Sequence, residues 1–406
     1  LLEDVMIIRL CLVLLFLAVC SAESGVLPEA ERDFQAMEQA ARGSEVRWHM
    51  WGGSAQINQW VDTYVADEMK KRYDITVVRV PMDAPVFVNK LLTEKAAGKA
   101  QGTMDLLWIN GENFKNAMEA GLLFGPFVER LPNFRSLYDP EKSAHDFGYP
   151  VNGFEAPYGR AQFVFEYDTE RTPVPPASMS GLAEWIKAHP GRFTYPQPPD
   201  FTGSAFLRHV FYATTEGHEQ YMMGFDAELY ARNAPKTFAW LSDVKPYLWQ
   251  EGRTYPKDSA ALDTLFARGE IDMAMSYHPA HAQMKIIERT YPETVRTFVL
   301  KDGAIFNTHF VAIPFNAPNR DGAMVLANFL MSVEAQASKF RPENWGDMPA
   351  LEMSKLDEAG RRAFAGIDLG EATLDAGALS AVAVPEIPSE YLELLEKDWD
   401  AHILGQ

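Results

Sequence analysis

The sequence predicts an α/β fold laid down as two strand–helix series in succession, on three observations. Short β-branched and aromatic runs alternate with stretches of helical period, the alternation restarts after residue 160, and 406 residues suffice for two cores. Composition agrees: 47% hydrophobic and 23% charged residues exclude a disordered or fibrous chain.

The first element stands apart from this pattern. Leu10 to Val19 (LCLVLLFLAV) follows Arg9 and precedes Cys20-Ser21-Ala22. The run is too short to span a bilayer as an ordinary helix, so residues 1–22 read as a signal peptide cleaved after Ala22. Met6 is the better start, because Glu3 and Asp4 do not suit a basic leader. Lipidation at Cys20 is disfavoured by the bulky Val19 before it. Both cysteines, Cys11 and Cys20, lie in this segment, so the mature chain has no thiol nucleophile, disulfide or cysteine-bound zinc. Cleavage removes two acids and one base, taking the net charge from −19 to −18. Such a surface repels nucleic acid and anionic lipid.

Val46 to Trp51 reads as a strand, and from Ala55 the positions Ile57, Trp60, Val61, Tyr64, Val65 and Met69 recur at helical spacing. Ile75–Val80 is the next strand, Pro85–Ala97 a helix and Met104–Ile109 a third strand. Alternation of this kind predicts a mostly parallel sheet covered on both faces. Ala161–Asp168 (AQFVFEYD) reads as one long strand. Beyond it Ser180 caps the helix GLAEWIKAH, Arg192–Tyr195 is a short strand, and FTGSAFLRHVFY is a turn entering a helix. Asp258–Arg268 is helical and feeds the strand Ile271–Tyr277. Val295–Val299 and Thr308–Ile313 are further strands, followed by two helices over 315–340 and a last helix from Glu390 to His402. The strands near 161–168 and 304–313 are the natural crossings between units.

In such units ligands collect at the carboxyl ends of the strands, where helix N-termini offer free N–H groups. The loops gathered there are Gly52–Asn58, Asn110–Asn113, Asp200–Ser204 and Tyr277–His281. Gly52-Gly53-Ser54-Ala55-Gln56 falls one glycine short of the Gly-x-Ser-x-Gly nucleophile elbow, because Gln56 cannot pack as closely as the second glycine must. Motifs for nucleotide hydrolysis, dinucleotide binding and zinc peptidases are absent. His278 and His281 lack a neighbouring carboxylate in the sequence, so a loop running into a proline-started helix is favoured over a metal site. The small residues Gly52, Gly53, Ser54, Gly203 and Ser204 admit a ligand to the backbone. Around them stand Trp51, Trp108, Tyr158, Phe201, Tyr277 and Trp345, whose faces suit flat rings and cations. For Trp48 and Trp108, inside strands, the core is the expected place. Glu112 and Asp200 are ligand candidates because they sit in these loops.

Carried by WHMWGGSAQIN, MDLLWINGENF, APYGRAQFVFEYDTER, DFTGSAF, ALDTLFARGEIDMAMSYHPAHA and HFVAIPFNAPNRDGAMVLANFLMSVEAQ, the mature chain resembles the periplasmic solute-binding proteins of ABC importers. WINGENF, GSAF and FNAPN together resemble the YnjB-type branch, grouped with thiamine- and polyamine-type binding proteins. The resemblance implies a two-lobed, type II-like periplasmic-binding-protein fold, with 23–160 in the first lobe, 161–304 in the second, and 305–406 returning to the first and ending in helices. It implies a periplasmic monomer that closes on one solute by hinge motion, delivers it to a permease with a separate ATPase subunit, and performs no bond-making chemistry or cofactor-dependent step. Carried over, the ligand contacts are Trp51, Ser54, Asn110, Glu112, Asn113, Tyr158, Gly203, Ser204, Tyr277 and His278. The expected solute is an organic cation such as thiamine or its phosphates, or a polyamine. A secreted serine hydrolase built on Ser54 or Ser204, and a ferric iron carrier, are the alternatives.

Overall fold

The computed structural model describes residues 29–404, so the expected signal peptide and Cys20 lie outside the described residues. Its two lobes each carry a sheet, and β5 and β6 pair as a small antiparallel hairpin of their own; the twelve strands among the described residues are β1 Glu45–Met50, β2 Thr76–Pro81, β3 Leu106–Ile109, β4 Leu123–Phe124, β5 His145–Asp146, β6 Tyr149–Pro150, β7 Glu155–Gln162, β8 Val164–Asp168, β9 Met273–Ser276, β10 Val295–Phe298, β11 Ala304–Pro314 and β12 Ala383–Pro385.

The first sheet runs β12-β11-β3-β1-β2, with β4 and β7 also on β11. Its period-2 sequences sort apolar residues onto two faces. Val46, Trp48, Met50, Leu106, Val311 and Ile313 face one core, shared with the helices Glu29–Ala41 and Arg320–Leu330. Leu107, Ile109, Phe310 and Ala312 face another, under the helices Ala84–Ala96 and Gly111–Glu119. The expected parallel order holds for β2, β1 and β3. By contrast β11 runs antiparallel to β3 and β7.

The second sheet, β10-β8-β9, corrects the expectation of a parallel arrangement, since both its pairings are antiparallel. The reason is chain direction: β8 leaves the crossing, whereas β9 and β10 run back towards it. Three local expectations also change. The predicted strand 161–168 divides at Phe163 into β7 and β8. Arg192–Tyr195 forms no strand, although Phe193 and Tyr195 are buried. The helix Met179–Ala188 is capped by Ser178, whose hydroxyl accepts from Gly181 N, and not by Ser180.

The crossing itself is the β7–β11 pair, in register from Glu155↔Ala312 to Gln162↔Phe306 with a shift at His309/Phe310. It is pinned by polar side chains. Gln162 Nε2 donates to Leu379 O at 2.9 Å, and His209 Nε2 accepts from Ile305 N at 2.9 Å while Nδ1 donates to Ala205 O at 2.8 Å. That pattern requires a neutral ring, and burial lowers the His209 pKa to about 3.

The last helix, Ser389–Trp399, packs on the second lobe: Tyr391, Leu395, Trp399 and Ile403 share one core with Phe165, Phe206, Phe211 and Met275. It also reaches the first lobe, where Glu390 Oε1 lies 2.6 Å from Lys115 Nζ. Among the described residues no helix is long and apolar enough to cross a membrane.

Candidate functional site

Chain direction brings two rims together. The carboxyl ends of β1 and β3 point towards the second lobe, and β9 ends opposite the start of β8, at the crossing. The residues that follow these strands, Trp51, Asn110 and Tyr277, therefore stand at strand ends directed towards the crossing, where ligands collect in such units.

Glu112 and Ser204 both meet the Glu396 carboxyl, and Tyr277 meets that of Glu386. Glu112 opens the helix Gly111–Glu119 and accepts from Asn113 Nδ2 at 2.7 Å. Burial first, and then repulsion from Glu396, push the Glu112 carboxyl up to about 7, against an opposing pull from Arg208. Ser204, in the helix Phe201–Thr214, donates to Glu396 Oε1 at 2.5 Å. Desolvation also raises Glu396. Tyr277 donates to Glu386 Oε1 at 2.5 Å and tilts against Phe201, with ring centroids 5.0 Å apart. Asn110 Nδ2 donates to Thr308 O at 2.7 Å, fixing the loop before Glu112 to β11. Under that loop Asp146 Oδ2 accepts from Gly111 N at 2.5 Å, and burial holds its carboxyl well above the ordinary range.

A second, aromatic group stands under the crossing. Trp108, Tyr158, His309 and Trp345 pack together with centroid separations of 5.0–6.2 Å. Trp108 is only partly buried, short of the core position expected for it, whereas Trp48 is fully buried. Tyr158 is fully buried and borders the internal ion pair Lys339–Asp347, whose Nζ–Oδ2 distance is 2.7 Å. His309 Nε2 completes that network 3.1 Å from Asp347 Oδ1. His278 approaches from the other side, next to Gly346 and Ala280, and its ring nitrogens have no partner among the described residues. Burial lowers its pKa to about 4.

The remaining candidates serve the backbone. Ser54 caps the helix Ala55–Trp60 by accepting from Ile57 N at 3.3 Å, and the Trp51 ring, 46% exposed, folds over Gly53. Asp200 is a cap and not a free ligand group: its Oδ1 accepts from Thr202 N and Gly203 N, each at 3.0 Å. A side chain at Gly203 would collide with the Pro196 carbonyl, so glycine there serves close packing. Ser54 accepts from Ile57 N and Ser204 donates to Glu396, and neither has a histidine as hydrogen-bond partner among the described residues.

His281 has carboxylates after all, supplied from a distance in sequence. Its Nδ1 lies 2.8 Å from Glu166 Oε1 and its Nε2 3.2 Å from Asp263 Oδ2, while Tyr291 donates to Asp263 Oδ1 at 3.1 Å. The three side chains are close enough to hold a metal ion. Each carboxylate, however, takes a different ring nitrogen, so the ring stands between them as an imidazolium. Despite burial, the two acids raise the His281 pKa to about 10. The helix that carries it, His281–Ile287, starts two residues after Pro279 and so is not proline-started.

Sequence reading missed Arg208, Glu386 and Glu396, which lie inside helical or C-terminal stretches. The available signal was an arginine amid apolar residues in SAFLRHVFY, since a charge at a core position requires a partner.

Comparison with known proteins gives the family and the fold. The profile of bacterial extracellular solute-binding proteins matches residues 64–362. Protein YnjB of Escherichia coli (strain K12) is 39% identical over 334 residues, 82% of this chain and 86% of that protein. A solved periplasmic thiamin binding protein superposes with a TM-score of 0.60 at 16% identity, over 88% of this chain and 96% of its own. The Trichodesmium protein IdiA (FutA), solved with iron and citrate, gives 0.55 at 14% identity, over 88% and 99%. At such identities the two structures speak for the fold. The profile and the YnjB match, each spanning most of the chain, speak for descent, and the chain belongs to the bacterial extracellular solute-binding proteins, the solute-capturing components of ABC importers.

Proposed function

We propose that the protein captures a small organic cation between its lobes and passes it to a permease served by a separate ATPase, acting as a monomer and without bond-making chemistry. One observation carries the cationic class. Glu396 repels Glu112 from a second helix, while the buried Arg208, which attracts both, is already paired with Glu386. A positively charged solute supplies what these carboxyls lack.

In this reading Trp51, Asn110, Glu112 and Asn113 contact the solute from the first lobe, and Ser204, Tyr277 and His278 from the second. Ser54 shapes the rim, Tyr158 supports Trp108 from beneath, and Gly203 holds its helix against Pro196. Residues 161–304, with the last helix attached, form the moving lobe. Thiamine, its phosphates and polyamines fit the cationic class.

The test is a thermal-shift screen of the mature chain against thiamine, thiamine monophosphate, putrescine, spermidine, amino acids, sugars and ferric citrate. A solute at ~100 times its Kd adds about 2.7 kcal/mol to stability. The expected result is stabilisation by an organic cation that is recovered unchanged. Stabilisation by ferric citrate or a neutral sugar alone would reject the cationic class.

A further inference from the structure

Arg208 is a buried charge at the meeting of the lobes whose hydrogen bonding is incomplete. Its side chain is fully buried. Nη2 donates to Glu386 Oε1 at 3.0 Å and Nε lies 2.8 Å from Oε2 without hydrogen-bond alignment, while Nη1 has no carboxylate beside it and no acceptor among the described residues. The guanidinium carbon stands 5.5 Å from the Phe147 ring centroid and 5.8 Å from that of Phe201. Phe147 itself covers Gly111, the residue before Glu112. Phe147 and Phe201, whose ring centroids are 6.3 Å apart, thus stand on one side of the Arg208 guanidinium, one ring from each lobe.

Leaving a charged donor buried without an acceptor costs more than the same omission at a neutral group. The arginine fork is matched in shape to carboxylate and phosphate oxygens. A bare anion, however, would add negative charge where Glu112, Glu386 and Glu396 already outnumber the single guanidinium. A bare cation would satisfy the acids and leave Nη1 unmet. A solute carrying both charges answers both deficits.

Resting on the capture reading above, we propose that Arg208, through Nη1, binds an anionic oxygen of the solute while Glu112 and Glu396 hold its positive end. The solute class is then a zwitterion: an organic ammonium, or similar cation, that also bears a carboxylate or phosphate. Arg208 is the residue that separates this class from plain amines.

Titration calorimetry on the mature chain tests this with thiamine monophosphate and 4-aminobutyrate as zwitterions of the two anion types, and with thiamine, putrescine and fructose 6-phosphate as single-sign probes. The expected result is at least tenfold tighter binding of one zwitterion than of any single-sign probe. Arg208→Lys, which keeps the charge beside Glu386 but loses the fork, should reduce that affinity tenfold or more. Glu112→Gln, which keeps the shape of the side chain and removes only its charge, should reduce it several-fold and serves if the Arg208 variant does not fold. Equal binding of a single-sign probe, or unchanged affinity in either variant, overturns the assignment. Mass spectrometry of solute co-purified with the protein separates the two levels. A bound solute of one charge sign rejects the zwitterion and preserves capture. Absence of any bound solute, together with no heat from any probe, rejects both.

Discussion

Glu112 is a side chain whose ionisation is set first by burial and then adjusted by three charged neighbours on other elements. Glu393 and Glu396 face it from the last helix, and Arg208 from the helix Phe201–Thr214. Asp146, beneath Gly111, has its carboxyl pushed well above the ordinary range by burial. Since the folded pKa of Glu112, about 7, exceeds its ordinary value of 4.5, its contribution to stability is complete below 4.5 and is lost as pH rises through 7. Glu112→Gln should therefore melt like the wild type at pH 4.5 and above it at pH 8, read as the difference between two melting curves. An equal gain at both pH values would show that charge is not the cause. Binding of a cation should strengthen over the same interval, because the ionised carboxylate is the form that attracts it. Glu112 was legible in the sequence as an acid in a strand-to-helix loop. Arg208 and Glu396 were not, since charges in a helical pattern read as a solvated face until tertiary packing buries them.

At the scale of elements, the crossing pair β7–β11 depends on a polar network hidden beneath it. The buried Lys339–Asp347 pair lies against Gly159 of β7, where any side chain would displace it, and against the Tyr158 carbonyl. Desolvation lowers the Lys339 pKa, and its partner opposes that fall. Lys339→Met leaves Asp347 without its main counter-charge, and should cost about 3–5 kcal/mol in urea unfolding. A loss below 1 kcal/mol would mean that His309, 3.1 Å from Asp347, neutralises the acid alone. Most of these elements were legible from period: β1, β3, β9 and the helices Ala84–Ala96 and Ser259–Ala267 lie within a few residues of their predicted spans. The break at Phe163 was not, because Phe163 continues the apolar pattern of its neighbours and the division arises where β7 leaves β11. The antiparallel second sheet was equally hidden, since alternation reports element type and not the direction in which the chain re-enters a lobe.

For the molecule as a whole, each sheet has its own core, yet the second core is closed by residues from the far end of the chain. Truncation after Pro385 removes Tyr391, Leu395, Trp399 and Ile403, all buried. It should leave the first sheet cooperative while the second lobe binds hydrophobic dye and is cut by protease within 161–300, as mapped by mass spectrometry of the fragments. Resistance throughout would show that the last helix is dispensable. The two-unit plan was legible from the restart of alternation after residue 160. The attachment of the last helix was not, because its apolar stripe specifies a partner without naming which core. That attachment also sets the order of events in biosynthesis. A polypeptide threaded through a membrane from its N-terminus delivers β8, β9 and β10 well before Trp399 and Ile403 arrive. Until then the second lobe presents uncovered apolar surface to whatever surrounds it, so its maturation is timed by the final stretch of the chain and depends on protection from aggregation during that interval.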